Sequence, residues 1–589
     1  MNNYPKWAAE AVWYQIFPDR FCRFNTHNPI TASDIEGTTP WDLHSGDPWQ
    51  IHPWTSDWYE RQPYEKANSK KLKTNILRRR YCGDINGIIS KLDYLSGLGI
   101  NALYINPMQY SPSLHKYDGT DFMHIDPFLG SSPLTDKKFI QDEDFDDFDH
   151  TGWTTADMEA LKLISEAHKR GIRVVFDGVF NHIGYNSKPF QDVLKNRGKS
   201  KYCNWFLIDS EKSTRRKLAY DKFWGCVDEM PKLNYSCQDV KRYVFATLKR
   251  WLKPVVNGTE YEGIDGWRLD HVVGVPPTFW KSARKFVKEI AKDSLFLAEL
   301  IEPNTIIKPY LDNAIFDSVM NYGFYFSACE FFASEKNSIS ALEFDKRIKH
   351  QLQLFPVVSN YLMMNLLGTH DSERIASLIA NRGLKKYGDI ASFFQNSHIE
   401  DKGYTSRMPD EKERSIQQMM VVFEFAMIGS PMVYYGDEVG MWGANDPDCR
   451  KPMMWEGMEF SPEHLVTGGR HSKTRKTPVA INYGMLDFYK RIIRLRRSES
   501  VLCHGMMKTE TASENGRLWI ISRYNAEHRI IFAFNRNDTP AESAVEAVPG
   551  ELFVDYMSAE THNAGADGYL RLQLQPLQYM ILIRQRGKK

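Results

Sequence analysis

Short apolar runs alternate with helix-spaced apolar stretches along most of the chain. The first run, Ala11 to Phe17, is stopped by Pro18. A polar, Trp-rich segment follows from about Arg23 to Tyr81. It ends in a basic run, Lys70 to Arg80, that reads as a solvated loop face. Asn86 opens a helix with Ile88, Ile89, Leu92 and Leu95 on one face, closed by Gly97 and Gly99. Ala102 to Ile105 reads as a strand stopped by Asn106-Pro107. Thr155 caps a helix through His168 that Gly171 ends, and Ile172 to Asp177 reads as a buried strand. After an irregular stretch from His182 to about Cys237, Val240 to Leu252 is helical. Strands ending at Asp270 and Glu299 come next, then candidate strands at Ala314 to Val319, Tyr361 to Leu367 and Met432 to Tyr435. Tyr483 to Arg497 is a final amphipathic helix.

Strands alternating with helices imply a parallel sheet. Strand starts at Ala11, Ala102, Ile172, Gly263, Leu295, Ala314, Tyr361 and Met432 give about eight, the number of a closed α/β barrel, the (βα)8 TIM fold. The barrel is expected over residues 1–182 and 238–498. The intervening 183–237 is too long for a loop and predicts a small inserted domain after strand 3. After about Ser498 the runs become short and alternating (Leu518 to Ile521, Ile530 to Phe534, Tyr579 to Ile583). They predict a C-terminal antiparallel β-sandwich over 499–589.

Composition narrows the function classes. A net charge of +1 offers no electrostatic footprint for nucleic acid or an anionic membrane. No stretch approaches the roughly 20 apolar residues that span a bilayer, and the start has no apolar run of secretory type. The 8 cysteines are scattered without a close Cys-x-x-Cys pair, which argues against zinc and suits free thiols in the cytoplasm. Aromatic residues make up 13% of the chain, a content suited to a flat, neutral ligand as well as to a large core.

The chemistry sits where the apolar runs stop. Arg268 and Asp270 lie two apart and share a face of one strand. A guanidinium beside a carboxylate favours its charged form, as a nucleophile requires. Glu299 follows Leu295 to Ala298 and needs a raised pKa to act as an acid. Asp177, Asn181 and His182 cluster at a third strand end, and His370-Asp371 with Arg374 at a fourth. Singly, each could be an ion pair, a helix cap or a turn network. Four such clusters at the C-terminal ends of barrel strands are hard to explain by packing, because that is where barrel enzymes keep their chemistry. Two carboxyl groups facing one bond are the equipment of retaining glycoside hydrolysis.

These residues resemble the α-amylase superfamily, glycoside hydrolase family thirteen. Asp177-Gly178-Val179-Phe180-Asn181-His182, Gly266-Trp267-Arg268-Leu269-Asp270, Glu299 and His370-Asp371 match its four regions in order. The resemblance implies that Asp270 is the nucleophile, Glu299 the acid and then the base, and that Asp371 holds the sugar hydroxyls in the transition state. Arg268 would position Asp270. His182, His370 and Tyr117 would contact the sugar in the −1 subsite, with Arg374 also on the substrate side and Asp177 and Asn181 in support. Asn181 resembles a calcium ligand in some relatives, but calcium takes six to eight oxygens, so one Asn does not define a site. The metal stays open, and the chemistry needs no cofactor.

Met230-Pro231-Lys232-Leu233-Asn234 and Tyr434-Tyr435-Gly436-Asp437-Glu438 point within that family to the neopullulanase and cyclomaltodextrinase group. The implied substrates are α-1,4-linked glucans: maltooligosaccharides, starch, pullulan or cyclodextrins. An α-glucosidase or 4-α-glucanotransferase is the alternative, and a non-catalytic glucan-binding barrel a remote one. That group usually carries an N-terminal β-domain. Here the barrel begins within about ten residues, so this domain is expected to be absent, leaving oligomeric state open. His271-Val272-Val273-Gly274 and Leu300-Ile301 depart from the group's pattern, so acceptor preference does not carry over. The segments Arg23 to Tyr81 and Ser131 to Trp153 are expected to add walls to the substrate site.

Overall fold

The computed structural model describes residues 4–35, 48–67, 71–384 and 396–585. Eight parallel strands close a barrel: β1 (Trp13–Ile16), β2 (Ala102–Ile105), β3 (Arg173–Gly178), β4 (Gly266–Leu269), β5 (Leu295–Ala298), β6 (Ser318–Asn321), β7 (Met364–Leu366) and β8 (Ser430–Tyr434). Each pairs with its neighbours in sequence, and β1 pairs with β8. The strands are buried almost throughout, as parallel strands covered by helices must be. Helices such as Thr155–His168 and Gln238–Leu252 supply that cover. The first is set by a capping box in which Thr154 and Asp157 satisfy each other's backbone N–H. The barrel therefore has the predicted architecture.

Several boundaries differ from expectation for local reasons. The run expected as a strand from Ala314 starts only at Ser318, because Ala314 takes φ +50° in the turn that closes the preceding helix. The run from Tyr361 to Leu367 is divided between a helix, Val357–Leu362, and the three-residue β7. A continuous apolar run carries no period that distinguishes the two. The basic run is a solvated face only at its start, where Lys71 and Lys73 are exposed. Lys70 lies outside the described residues, but Leu72–Arg78 is a helix, and Arg78, Arg79 and Arg80 are buried. Arg79 pairs with Glu65 at 2.8 Å and Arg80 donates to the Pro112 carbonyl. Those partners are distant in sequence, so charge alone misplaced the run.

Between β3 and β4 the chain leaves the barrel to form a helix, Lys188–Asn196, and a hairpin, Lys222–Phe223 with Val227–Pro231. Between β2 and β3 a second hairpin, Gln109–Tyr110 with Asp121–Ile125, carries Tyr117 in its loop. It is fixed to the barrel by His124, fully buried between Asp157 Oδ2 (2.7 Å) and Glu143 Oε2 (2.8 Å). Burial disfavours its charge, but the Asp157 carboxylate outweighs this and pushes its pKa up to about 10.

Beyond the helix Tyr483–Ser498, eight antiparallel strands follow: β9 (Met506–Ala512), β10 (Leu518–Tyr524), β11 (Arg529–Asn535), β12 (Ala541–Glu546), β13 (Leu552–Asp555), β14 (Thr561–Asn563), β15 (Tyr569–Leu574) and β16 (Tyr579–Arg584). Six form one sheet in the order β9-β10-β11-β16-β13-β14, and β12 pairs with β15. The period-2 pattern decides what each face meets. Leu518 and Ile520 of β10 pack with Leu570 and Leu572 of β15, while Trp519 turns the other way against Phe344 of the barrel's helical layer. Among the described residues, no helix is long and apolar enough to cross a membrane.

Candidate active site

The parallel register brings the predicted residues to one end of the barrel. Arg268 on β4 lies directly opposite Asp177 on β3, so the two side chains share a level. Arg268 Nη1 donates to Asp177 Oδ1 (2.8 Å) and to Asp270 Oδ1 (3.0 Å), and its Nη2 forms an ion pair with Glu299 Oε1. One fully buried guanidinium thus touches three carboxyl groups. Asp371, five residues past the end of β7, faces the same space and pairs with Arg450 Nη2 at 2.8 Å.

Tyr117 and His370 form a stacked pair, ring centroids 5.3 Å apart and planes within 2°. The Tyr117 hydroxyl bonds Asp177 Oδ2 (2.8 Å) and His370 Nε2 (2.7 Å). Gln15 Nε2 donates to His370 Nδ1, which leaves the proton on Nε2, 3.0 Å from Asp371 Oδ2. Burial pushes the His370 pKa down to about 3, so it is a neutral donor. His182 Nε2 bonds the Tyr117 carbonyl, and burial pushes its pKa down to about 4. Asn181 Nδ2 bonds His182, and a Cβ at Gly274 would stand 1.9 Å from Asn181 Oδ1, so a side chain there would displace the amide.

The electrostatics separate the carboxyls. Burial is the largest influence on each. At Asp270 it is opposed by Arg268 and the result is about 6. At Glu299 burial is opposed by Arg268 but reinforced by the charges of Asp270 and Asp371, and the pKa rises to about 8. At Asp371 the same burial is outweighed by His370 and Arg450, which hold it below the ordinary carboxylate range. The expectation that Arg268 keeps Asp270 ionised therefore holds only in part: the guanidinium limits the rise without reversing it. Near neutral pH the arrangement holds Glu299 protonated and Asp270 and Asp371 charged. His271, next to Asp270, takes φ +41°, a region that costs a bulky residue on the order of 1 kcal/mol or more, and its N–H points at Glu299 Oε2 (3.1 Å).

These groups open into a cleft of about 630 Å³. Tyr117, His182, Asp270, Glu299 and Asp371 line it. Arg268, Asp177, Asn181 and His370 stand behind them. Arg374 does not reach the cleft and is not a substrate contact. It is fully buried against the rings of both Tyr434 and Tyr435 and donates to Asp437 Oδ1 at 2.7 Å. Arg450 takes the place expected for it. A position 79 residues beyond Asp371 gave no sign of contact. Sequence reasoning also missed Phe223 and Trp224. They stack 4.6 Å apart at the tip of the hairpin Lys222–Phe223 with Val227–Pro231, with Trp224 70% exposed over the cleft. Of the two expected wall segments, the first contributes Lys73 and Leu77 and the second contributes nothing.

The catalytic-domain model of the α-amylase family, described as "Alpha amylase, catalytic domain", matches residues 15–505. The chain belongs to the α-amylase family. It is 31% identical over 582 residues to neopullulanase 2 of Thermoactinomyces vulgaris, covering 98% of this chain and 78% of that protein. It is 32% identical over 548 residues to a cyclomaltodextrinase of Thermoanaerobacter pseudethanolicus, covering 93% and 74%. A solved cyclomaltodextrinase superposes with a TM-score of 0.70 at 28% identity, covering 99% of this chain and 79% of that one. The chain is an α-amylase-type glycosidase acting on α-glucans.

Asn181 Nδ2 bonds His182, while its Oδ1, the kind of oxygen a calcium ion takes, is buried without a hydrogen-bond partner. Among the described residues, the single His/Cys/Asp/Glu group with metal-like spacing is Asp57, Glu60 and His464. There the Lys476 ammonium already stands 3.3 Å from Asp57.

Proposed function

We propose that the enzyme is a retaining hydrolase of α-1,4-glucosidic bonds, working through a covalent glycosyl-enzyme on Asp270. The observation that carries the reading is the placing of Asp270 and Glu299 on one guanidinium, with pKa values of about 6 and about 8. Carboxyls this close suit direct attack on the sugar; an inverting pair needs a gap of about 6.5–9.5 Å for water. Glu299 protonates the leaving oxygen while Asp270 attacks the anomeric carbon. Glu299, now ionised, then takes a proton from the water that releases the sugar. Asp371, charged and fixed by Arg450, faces the positive charge that develops on the sugar ring. Tyr117 offers a flat face for the sugar, His182 lines the cleft beside it, and neutral His370 holds the Tyr117 hydroxyl and Asp371 from behind. Maltooligosaccharides, starch, pullulan and cyclodextrins are the candidate substrates. A cytoplasmic setting is supported by the eight free cysteines.

The stereochemistry tests this directly. Proton NMR of maltotriose hydrolysis should show the α-anomer of the new reducing end first, with the β-anomer growing only by mutarotation. Initial β-anomer would mean inversion and would remove the covalent role from Asp270.

The pH dependence follows from the same pair. Asp270 must be ionised, so kcat/KM should fall as pH drops through about 6. Glu299 must be protonated, so it should fall again as pH rises through about 8. The two limbs belong to the pair together. A bell centred near pH 7 on an unsubstituted maltooligosaccharide is the expected result, and a flat profile from pH 5 to 9 would contradict it.

A further inference from the structure

One side of the barrel mouth carries a small module with its own core, assembled from four separate stretches. Trp54, Trp58, Tyr59, Ile76 and Tyr81 come from the Trp-rich segment and pack on Ile399, Tyr404, Ala444 and Val466. Polar bonds tie the pieces: Trp58 Nε1 donates to Asp448 (2.9 Å), Tyr59 to Ser406 (2.9 Å) and Trp54 Nε1 to the Met453 carbonyl (2.9 Å). A three-stranded sheet, Thr405–Ser406 with Glu463–Thr467 and Arg470–Thr477, completes it. The module is packed and cross-braced, so what it presents to the cleft is a fixed wall.

That wall is made by Lys73, Leu77, His398, Asn445, Asp446 and Pro447. Lys73 stands 3.7 Å from Glu400, joining the helix Leu72–Arg78 to the stretch that carries His398. Arg450 links the wall to the reacting centre, pairing with Asp371 (2.8 Å) and Asp446 (2.9 Å). The rest of the lining is different: Leu300 and Ile301 follow Glu299 in the chain, and Phe223 and Trp224 pack on His271, whose N–H meets Glu299 Oε2.

On the reading given above, the leaving oxygen departs past Glu299. The sugar kept on Asp270 reacts at its anomeric carbon, so the rest of the retained chain extends in the non-reducing direction, away from Glu299 and toward the wall. The whole cleft, about 630 Å³, has the size of a small-ligand pocket and not of a groove that a polymer threads.

We propose that this module closes the non-reducing side of the cleft. The enzyme then cuts linear α-glucans a short distance from their non-reducing end and disfavours substrates that offer no free end there. The proposal rests on the retaining-hydrolase reading for the direction of the chain. Its lever is steric, and Lys73 and Leu77 are the wall residues that can be shortened with little effect on the core, being exposed and half-buried.

The test compares maltoheptaose, maltoheptaose blocked at its non-reducing terminal O4 and O6, and β-cyclodextrin. The native enzyme should cut free maltoheptaose about tenfold or more faster than the other two, the scale of discrimination a few pocket contacts provide. Reducing-end label should appear first in long fragments. In the double variant Lys73→Ala/Leu77→Ala the ratio of blocked to free rates should rise by about threefold or more. A ratio taken within one preparation is insensitive to any unfolded fraction. Equal native rates on all three substrates would overturn the closed end while leaving the retaining hydrolase intact. So would a native preference that the double variant leaves unchanged. No hydrolysis of any of the three would instead remove the hydrolase reading itself.

Discussion

Asp270→Asn should lower kcat/KM on maltotriose by about 10⁴-fold or more, the scale seen when a nucleophile is removed from a covalent mechanism. That factor corresponds to about 5.5 kcal/mol of lost transition-state stabilisation. The geometry explains why so much rests on one atom pair. Asp270 Oδ1 is held by Arg268 at 3.0 Å, and Glu299 hydrogen-bonds the same carboxylate. The Asn side chain keeps nearly the same shape and can still accept from Arg268, so the fold and the ligand contacts of Tyr117, His182 and Asp371 should persist. The substitution removes a bond that forms only during reaction, and the binding constant for an unreactive maltooligosaccharide should change little. Calorimetry of the variant with such a ligand, beside initial-rate kinetics, checks both halves. A variant within tenfold of native activity would show that Asp270 is not the nucleophile.

Glu299→Gln should behave differently, and the difference identifies its role. General acid–base catalysis contributes about 10²–10⁴-fold, so an unactivated maltooligosaccharide should lose activity on that scale. A substrate with a fluoride leaving group needs no proton, and its first step should be nearly spared. The second step still lacks a base, so the glycosyl-enzyme should accumulate. Azide, which needs no base to attack, should restore turnover and give an α-glycosyl azide. The alkaline limb of the pH profile should also disappear, because the group that ionises near pH 8 is gone. Equal losses for fluoride and maltooligosaccharide substrates, with no azide effect, would assign Glu299 a structural part only.

The barrel and the carboxylates were legible because both follow from local pattern. Each buried strand is a short apolar run, and each run stops at a polar residue that must lie at the strand's C-terminal end. Asp270, Glu299 and Asp371 could therefore be placed without knowing what packs around them. What was not legible depended on distant partners. Arg374 sits three residues from Asp371 and looked like its companion, yet its ion pair is with Asp437 and it packs against Tyr434 and Tyr435. Arg450, from a loop after β8, took the position beside Asp371. The Arg78 to Arg80 run looked solvated because Glu65, which neutralises Arg79, lies outside it. Phe223 and Trp224 were two aromatics in an irregular stretch until a hairpin turn placed them over His271 and His182. The pKa order of the pair was also beyond sequence. It is set by burial, which no motif reports, and burial raised both acids despite the adjacent guanidinium.

The measurement that addresses the central claim most directly is intact mass spectrometry of Glu299→Gln after mixing with α-maltosyl fluoride. The enzyme should gain the mass of one maltosyl group, and peptide mapping should place it on Asp270. Free maltose released with no adduct at any time, or an adduct on another carboxylate, would contradict the covalent mechanism assigned to this site.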